Sequence, residues 1–102
     1  MAINITTNNF KAEVLECSQP VLVDFWASWC GPCSMLSPVV DAVAEQAEGF
    51  KVVKVNVDEE PELARQYKIR SIPTLIVFAS GAEKTRSTGV ISKEEILQLV
   101  KG

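Results

Sequence analysis

Pro20-Val21-Leu22-Val23-Asp24-Phe25-Trp26-Ala27-Ser28-Trp29-Cys30-Gly31-Pro32-Cys33 decides how the chain is read. Its first half is a short apolar run rich in β-branched and aromatic residues, which predicts a strand over Pro20 to Trp26. Beyond Cys33 the period changes. Leu36, Val39, Val40, Val43, Ala44 and Ala47 recur at helical spacing, with Asp41, Glu45 and Glu48 largely off that stripe and Gly49 as a stop signal. Cys30 therefore stands at a helix N-terminus, with Cys33 about one turn further in.

That position makes the pair a reactive dithiol. Unpaired backbone N–H groups and the positive end of the helix dipole stabilise an anion, so Cys30 is expected to lose its proton more readily than a free thiol. A separation of three residues places the two Cα atoms roughly 5 to 6 Å apart, within the span of a disulfide. Gly31 permits close approach by a partner's backbone, and Pro32 is tolerated in a first helical turn because its missing N–H costs no intrahelical bond.

The rest of the chain bounds the function. At 102 residues it reads as one domain, 1–102, with enough length for one core. A net charge of −3 and dispersed basic residues argue against a nucleic-acid partner. Met1-Ala2-Ile3-Asn4-Ile5 lacks the basic start and long apolar stretch of a secretory signal, and there is no run long enough to span a membrane. Three cysteines without an export signal point to a reducing compartment, with the cytoplasm as the expected location. One CxxC, one distant cysteine and no histidine fall short of the usual four-ligand zinc site within the chain unless carboxylates or a second chain join in, so no metal is expected, and dithiol chemistry needs no bound cofactor. Cys17 reads as a small, partly buried thiol near the end of the first helical segment, with a regulatory thiol as the alternative.

The predicted order is strand, helix, strand, helix, strand, helix, two strands, helix. A short strand near Ile3 to Ile5 precedes a helix from about Asn8 to Glu16, with Phe10 and Val14 four apart on one side. Lys51 to Val57 alternates, placing Val53, Val55 and Val57 on one face and Lys54 on the other, and Glu60 to Tyr67 reads as a short helix. Thr74 to Phe78 and Glu83 to Ser87 flank the hairpin signal Ser80-Gly81. Ser92 and Glu95 form a capping-box pattern, and Ile91 can staple onto Ile96. Strands alternating with helices imply parallel pairing early, whereas the late hairpin adds antiparallel strands, so the sheet is mixed. Pro38, inside the second helix, is expected to kink it.

Val23-Asp24-Phe25-Trp26-Ala27, Trp29-Cys30-Gly31-Pro32-Cys33, Pro38, Lys54-Val55-Asn56-Val57-Asp58, Ser71-Ile72-Pro73-Thr74 and Gly89 occur in the order found in the thioredoxin family, which the chain resembles over essentially its whole length. The resemblance implies the thioredoxin fold: an α/β, three-layer α/β/α sandwich with a central mixed five-stranded sheet flanked by four helices. It also implies protein-disulfide reductase activity through a redox-active disulfide, Cys30-Cys33, that keeps protein thiols reduced. The partners it implies are disulfide-containing target proteins and a thioredoxin reductase, either NADPH-flavin or ferredoxin-linked. Gly31-Pro32 resembles the reducing members, and the absence of histidine removes the His found between the cysteines of several oxidising relatives. A monomer is the default expectation.

Asp24 interrupts an apolar run expected to be a buried central strand, where desolvation would raise its pKa; an edge strand with Asp24 in solvent is the alternative. The resemblance places the acid beneath the disulfide, assisting Cys33 as proton acceptor or donor. Lys54 alone reads as an ordinary strand lysine, and the resemblance makes it a neighbour that moderates Asp24. Composition predicts a trans Ile72-Pro73 bond. The resemblance implies a cis bond, with Pro73 packed against the cysteines and the backbone of Ile72 free to pair with a substrate strand. Trp29, Gly31, Pro32, Ile72, Pro73, Gly89 and Val90 would together form the apolar docking surface. Ser34 stands where many members carry Lys or Arg, which removes one positive charge from the rim.

Overall fold

The computed structural model describes residues Ala2–Gly102. Five strands form one sheet: β1 (Ile3–Asn4), β2 (Val21–Trp26), β3 (Lys51–Asn56), β4 (Thr74–Ala79) and β5 (Ala82–Thr88), in the order β1-β3-β2-β4-β5. The first three pair in parallel, and β4 runs antiparallel to both β2 and β5. The sheet is mixed, and β2 is its central strand.

Four helical segments cover the sheet: α1 (Thr7–Phe10, running on as a π-helical turn over Lys11–Leu15), α2 (Gly31–Glu45), α3 (Pro61–Gln66) and α4 (Lys93–Lys101). Strand parity sends alternate side chains to opposite faces. Val21, Val23 and Phe25 of β2 join Val53, Val55, Ile76 and Phe78 under α1 and α3, with Phe10, Val14 and Leu63 closing that layer. Here Phe10, Tyr67 and Phe78 pack in tilted and edge-to-face contacts with ring centroids 5.2 to 5.6 Å apart. The opposite face packs Leu22, Val52, Leu75 and Val77 against Leu36, Val40 and Val43 of α2 and Ile96 and Val100 of α4. The result is the expected three-layer α/β/α sandwich.

Local signals explain most element ends. Ser80 and Gly81 both take positive φ, 54° and 82°, as a two-residue hairpin turn demands. Ser92 Oγ accepts from the Glu95 N–H at 3.1 Å, while the Ser92 N–H donates to Glu95 Oε1 at 3.0 Å. The first helix departs from expectation: it starts at Thr7 and ends in a π turn, with the Glu16 N–H donating to the Lys11 carbonyl at 2.9 Å. Its start is held locally, with the Thr6 N–H donating to Asn9 Oδ1 at 2.8 Å, and from far along the chain, with the Thr7 N–H donating to Glu60 Oε1 at 2.8 Å. Pro38 lies within α2, which continues through it to Glu45.

Candidate active site

The site lies where β2 ends and α2 begins. Cys30 is the N-cap of α2 with extended backbone, and Pro32 occupies the first turn, where no donor is lost. Cys30 and Cys33 are joined as a disulfide with their Cα atoms 5.2 Å apart. The Cys33 N–H donates to Cys30 Sγ at 3.1 Å, so the helix end already directs a backbone donor at the sulfur that would carry negative charge on reduction. Cys30 Sγ also lies 3.8 Å from the Ile72 carbonyl oxygen. Both cysteines are buried against Ala27, with Trp26, Val57 and Ile72 packed around them.

The Ile72–Pro73 peptide is cis, where composition alone predicts trans. Pro73 is buried, and its carbonyl accepts from the Gly89 N–H at 2.9 Å. Gly89 has φ +97°, a backbone that only glycine adopts freely, so this link between two loops depends on the absence of a Cβ. Ile72, Pro73 and Gly89 are thus brought together beside Cys30. Val90, next in the chain, is exposed, as are Gly31 and Pro32, and a Cβ built on Gly31 would meet nothing within 4 Å.

The two tryptophans divide. Trp29 is 69% exposed, and its indole N–H donates to Asp58 Oδ2 at 2.7 Å, which steadies a large apolar ring at the surface. Trp26 is half-buried and donates to Asn4 Oδ1 at 2.9 Å. Met35, in the first turns of α2, is also an exposed large apolar side chain.

Beneath the disulfide is a cavity of ≈ 380 Å³ whose lining includes Cys33, Asp24, Lys54, Ser37 and Asp41. Asp24 is 2% exposed, and its Oδ1 has no hydrogen-bond partner. Burial pushes its pKa from 3.8 up to about 7; Lys54 opposes that rise and Asp41 adds to it. Lys54 donates to Ser37 Oγ at 2.8 Å and lies 3.6 Å from Asp41 Oδ1. Sequence reasoning places Asp24, Lys54 and Cys33 in one region but leaves out Ser37, Asp41 and Asp58. Ser37 and Asp41 are four apart on α2, a pairing visible in the sequence once that helix face is known to meet the acid. Among the described residues, no group of three or more His, Cys, Asp or Glu side chains is placed to hold a metal ion.

A cysteine pair at a helix N-terminus, joined as a disulfide over a buried acid, in a mixed-sheet sandwich, defines a thiol–disulfide oxidoreductase. The family model described as Thioredoxin matches residues 1–102. The chain is 52% identical over 101 residues to Thioredoxin 1 of Nostoc sp., covering 98% of this chain and 94% of that protein. It is 48% identical over 101 residues to a thioredoxin of Rickettsia felis (98% and 96% covered) and 55% identical over 94 residues to Thioredoxin 1 of Synechococcus elongatus (91% and 88% covered). The chain belongs to the thioredoxin family. Its chemistry is dithiol–disulfide exchange at Cys30 and Cys33, with disulfide-containing substrates and a reductase as the partners the family implies.

Proposed function

We propose that this chain is a general cytoplasmic reductant of protein disulfides, working as a monomer in which residues 1–102 form one domain and no cofactor is bound. The observation that carries the reading is the Cys30–Cys33 pair capping α2, with the Cys33 N–H directed at Cys30 Sγ and Asp24 buried below. In the reduced protein the Cys30 thiolate attacks a substrate disulfide. One substrate sulfur leaves as a thiolate and takes a proton, and the other stays bonded to Cys30. Cys33 passes its proton to the Asp24 carboxylate and attacks Cys30 Sγ, which closes the Cys30–Cys33 disulfide and expels the second substrate thiolate. Two electrons move from the chain to the substrate. A thioredoxin reductase, NADPH-flavin or ferredoxin-linked, returns them.

The remaining residues take supporting roles. Lys54 moderates the charge on Asp24 from the cavity wall. Trp29, Gly31, Pro32, Ile72, Pro73, Gly89 and Val90 form the docking surface, with the Ile72 backbone pairing with an extended substrate segment. The exposure of Trp29 and the closeness of the Ile72 carbonyl to Cys30 support that assignment. Backbone pairing gives affinity without demanding a particular substrate sequence, which suits a reductant of many proteins.

The reading is tested with Cys33→Ser, which removes the resolving thiol and leaves Cys30 in place. The variant, reduced and mixed with a disulfide-bearing protein, should accumulate a mixed disulfide through Cys30 that mass spectrometry detects. Accumulation of none, with Cys30 free, would contradict it.

A further inference from the structure

The cavity under the disulfide contains a contact that strand register does not explain. Asp24 and Lys54 are in register on neighbouring parallel strands, on the same face of the sheet. Adjacent strands lie about 4.8 Å apart, so register alone would pair carboxylate with ammonium. The lysine goes elsewhere. Its ammonium donates to Ser37 Oγ at 2.8 Å, and its ion pair is with Asp41, 3.6 Å away. Ser37 and Asp41 are four residues apart on α2, so one face of the helix presents to the cavity both the hydroxyl that accepts from Lys54 and the carboxylate that forms its ion pair without a hydrogen bond. Asp24 Oδ1 is left buried and without a partner.

We propose that Ser37 and Asp41 are positioning residues that hold the Lys54 ammonium against α2 and off Asp24, so that the Asp24 carboxyl group stays unpaired and free to exchange a proton with Cys33. The proposal rests on the role given to Asp24 above. A lysine in direct contact would hold Asp24 as a carboxylate and make it a weak base for the Cys33 thiol. A lysine held beyond ion-pair distance still moderates the cost of burying that charge. The charged and titratable groups facing Asp24 are few: Lys54 from β3, and Asp41 and Cys33 from α2. Ala2 and the β1 residue Asn4 are the N-terminal lining of the cavity, β4 places Leu75 in register with Asp24, and α4 packs Ile96 and Val100 on that face. Ser37 is uncharged, so any influence it has on Asp24 must act largely through where Lys54 sits.

The experiment is an NMR titration of the Asp24 carboxyl group in wild type, Ser37→Ala, Ser37→Thr, Lys54→Met and the Ser37→Ala/Lys54→Met pair. Removing the hydroxyl should let Lys54 swing towards Asp24 and lower its titration midpoint by about one pH unit, the smaller end of what an adjacent opposite charge produces. Threonine, which keeps the hydroxyl, should restore the wild-type midpoint. With Lys54 replaced by Met, Ser37→Ala should move nothing. An unmoved midpoint in Ser37→Ala, or an equal fall with Lys54 absent, would overturn the proposal. The titration needs no substrate, so a wild-type protein that reduced no protein disulfide would count against the proposed function and leave this result standing on its own.

Discussion

The two faces of the sheet are built from the same strands and the same alternation, yet only one carries chemistry. Under α1 and α3 the layer is apolar at Val21, Val23, Phe25, Val53, Val55, Ile76 and Phe78, and the buried polar side chain that shares this parity, Thr74, is satisfied by donating its hydroxyl to the Ser71 carbonyl at 2.6 Å. Under α2 and α4 the layer is equally apolar at Leu22, Val52 and Val77, but towards the end of β2 it opens into a cavity holding Asp24, Lys54, Ser37 and Asp41. One step of strand parity separates Phe25 from Asp24. The difference shows that a reactive centre needs only two substituted positions on an otherwise ordinary sheet face, provided a helix with its own polar side chains meets them. It also locates the energetic cost of function, since an unpaired buried acid destabilises whenever it is charged.

Truncation on the face under α1 and α3 should have the largest effect. Phe25→Ala should cost about 3 to 5 kcal/mol in denaturant unfolding, through lost burial and the cavity left in a packed aromatic layer, and that cost should be nearly independent of pH. Wild-type activity per folded molecule would survive at the lower stability. A loss under about 1 kcal/mol would mean that the layer is looser than its packing implies.

Next is the acid. The folded state raises the Asp24 pKa from 3.8 to about 7, so between those values the folded protein holds a proton that the unfolded chain has shed. Stability from this group is therefore fully present below about pH 4 and is lost as pH rises through about 7. The loss is at most about 4 kcal/mol, because each tenfold change in proton affinity is worth about 1.4 kcal/mol. Asp24→Asn removes the titration. Its stability relative to wild type should rise by that amount between pH 4 and pH 8 in matched urea unfolding curves, and parallel curves would show that Asp24 is not titrating in the fold.

The smallest effect belongs to neither face. Ser92→Ala should cost about 0.5 to 2 kcal/mol through loss of the α4 N-cap, and the reduction potential of the Cys30–Cys33 pair should not move. A shifted potential would show that α4 is coupled to the cysteines more tightly than packing suggests.

Much of this is legible in residue order. The switch from an apolar run to helical spacing at Cys30 locates the junction, the alternation from Lys51 separates Lys54 from Val53 and Val55, and Ser92 with Glu95 marks the last helix. These are local signals, in which the side chains that fix the structure lie within a few residues of one another. What escapes depends on contacts far apart in the chain. Glu60 adds to the local Thr6–Asn9 cap at the start of α1 across 53 residues, Asp58 holds Trp29 across 29, and the hydroxyl of Ser37 meets Lys54 across 17. Asp41 reads in the sequence only as an acid off the apolar stripe, because helical periodicity separates apolar from polar faces but does not say that a polar face meets a buried charge on a strand. The cis Ile72–Pro73 bond follows from the family resemblance and could not have come from composition.

The most direct test of the buried-acid mechanism is the titration of the Asp24 carboxyl group in the oxidised wild-type protein, followed by carboxyl carbon chemical shift from about pH 3 to pH 10, a range that spans both the ordinary and the raised value. A midpoint near 7 is the predicted result, that of an acid desolvated beneath the disulfide and left unpaired by a lysine held elsewhere. A midpoint near 4 would contradict it, showing Asp24 to be solvated or ion-paired and removing the proton acceptor on which the resolving step relies.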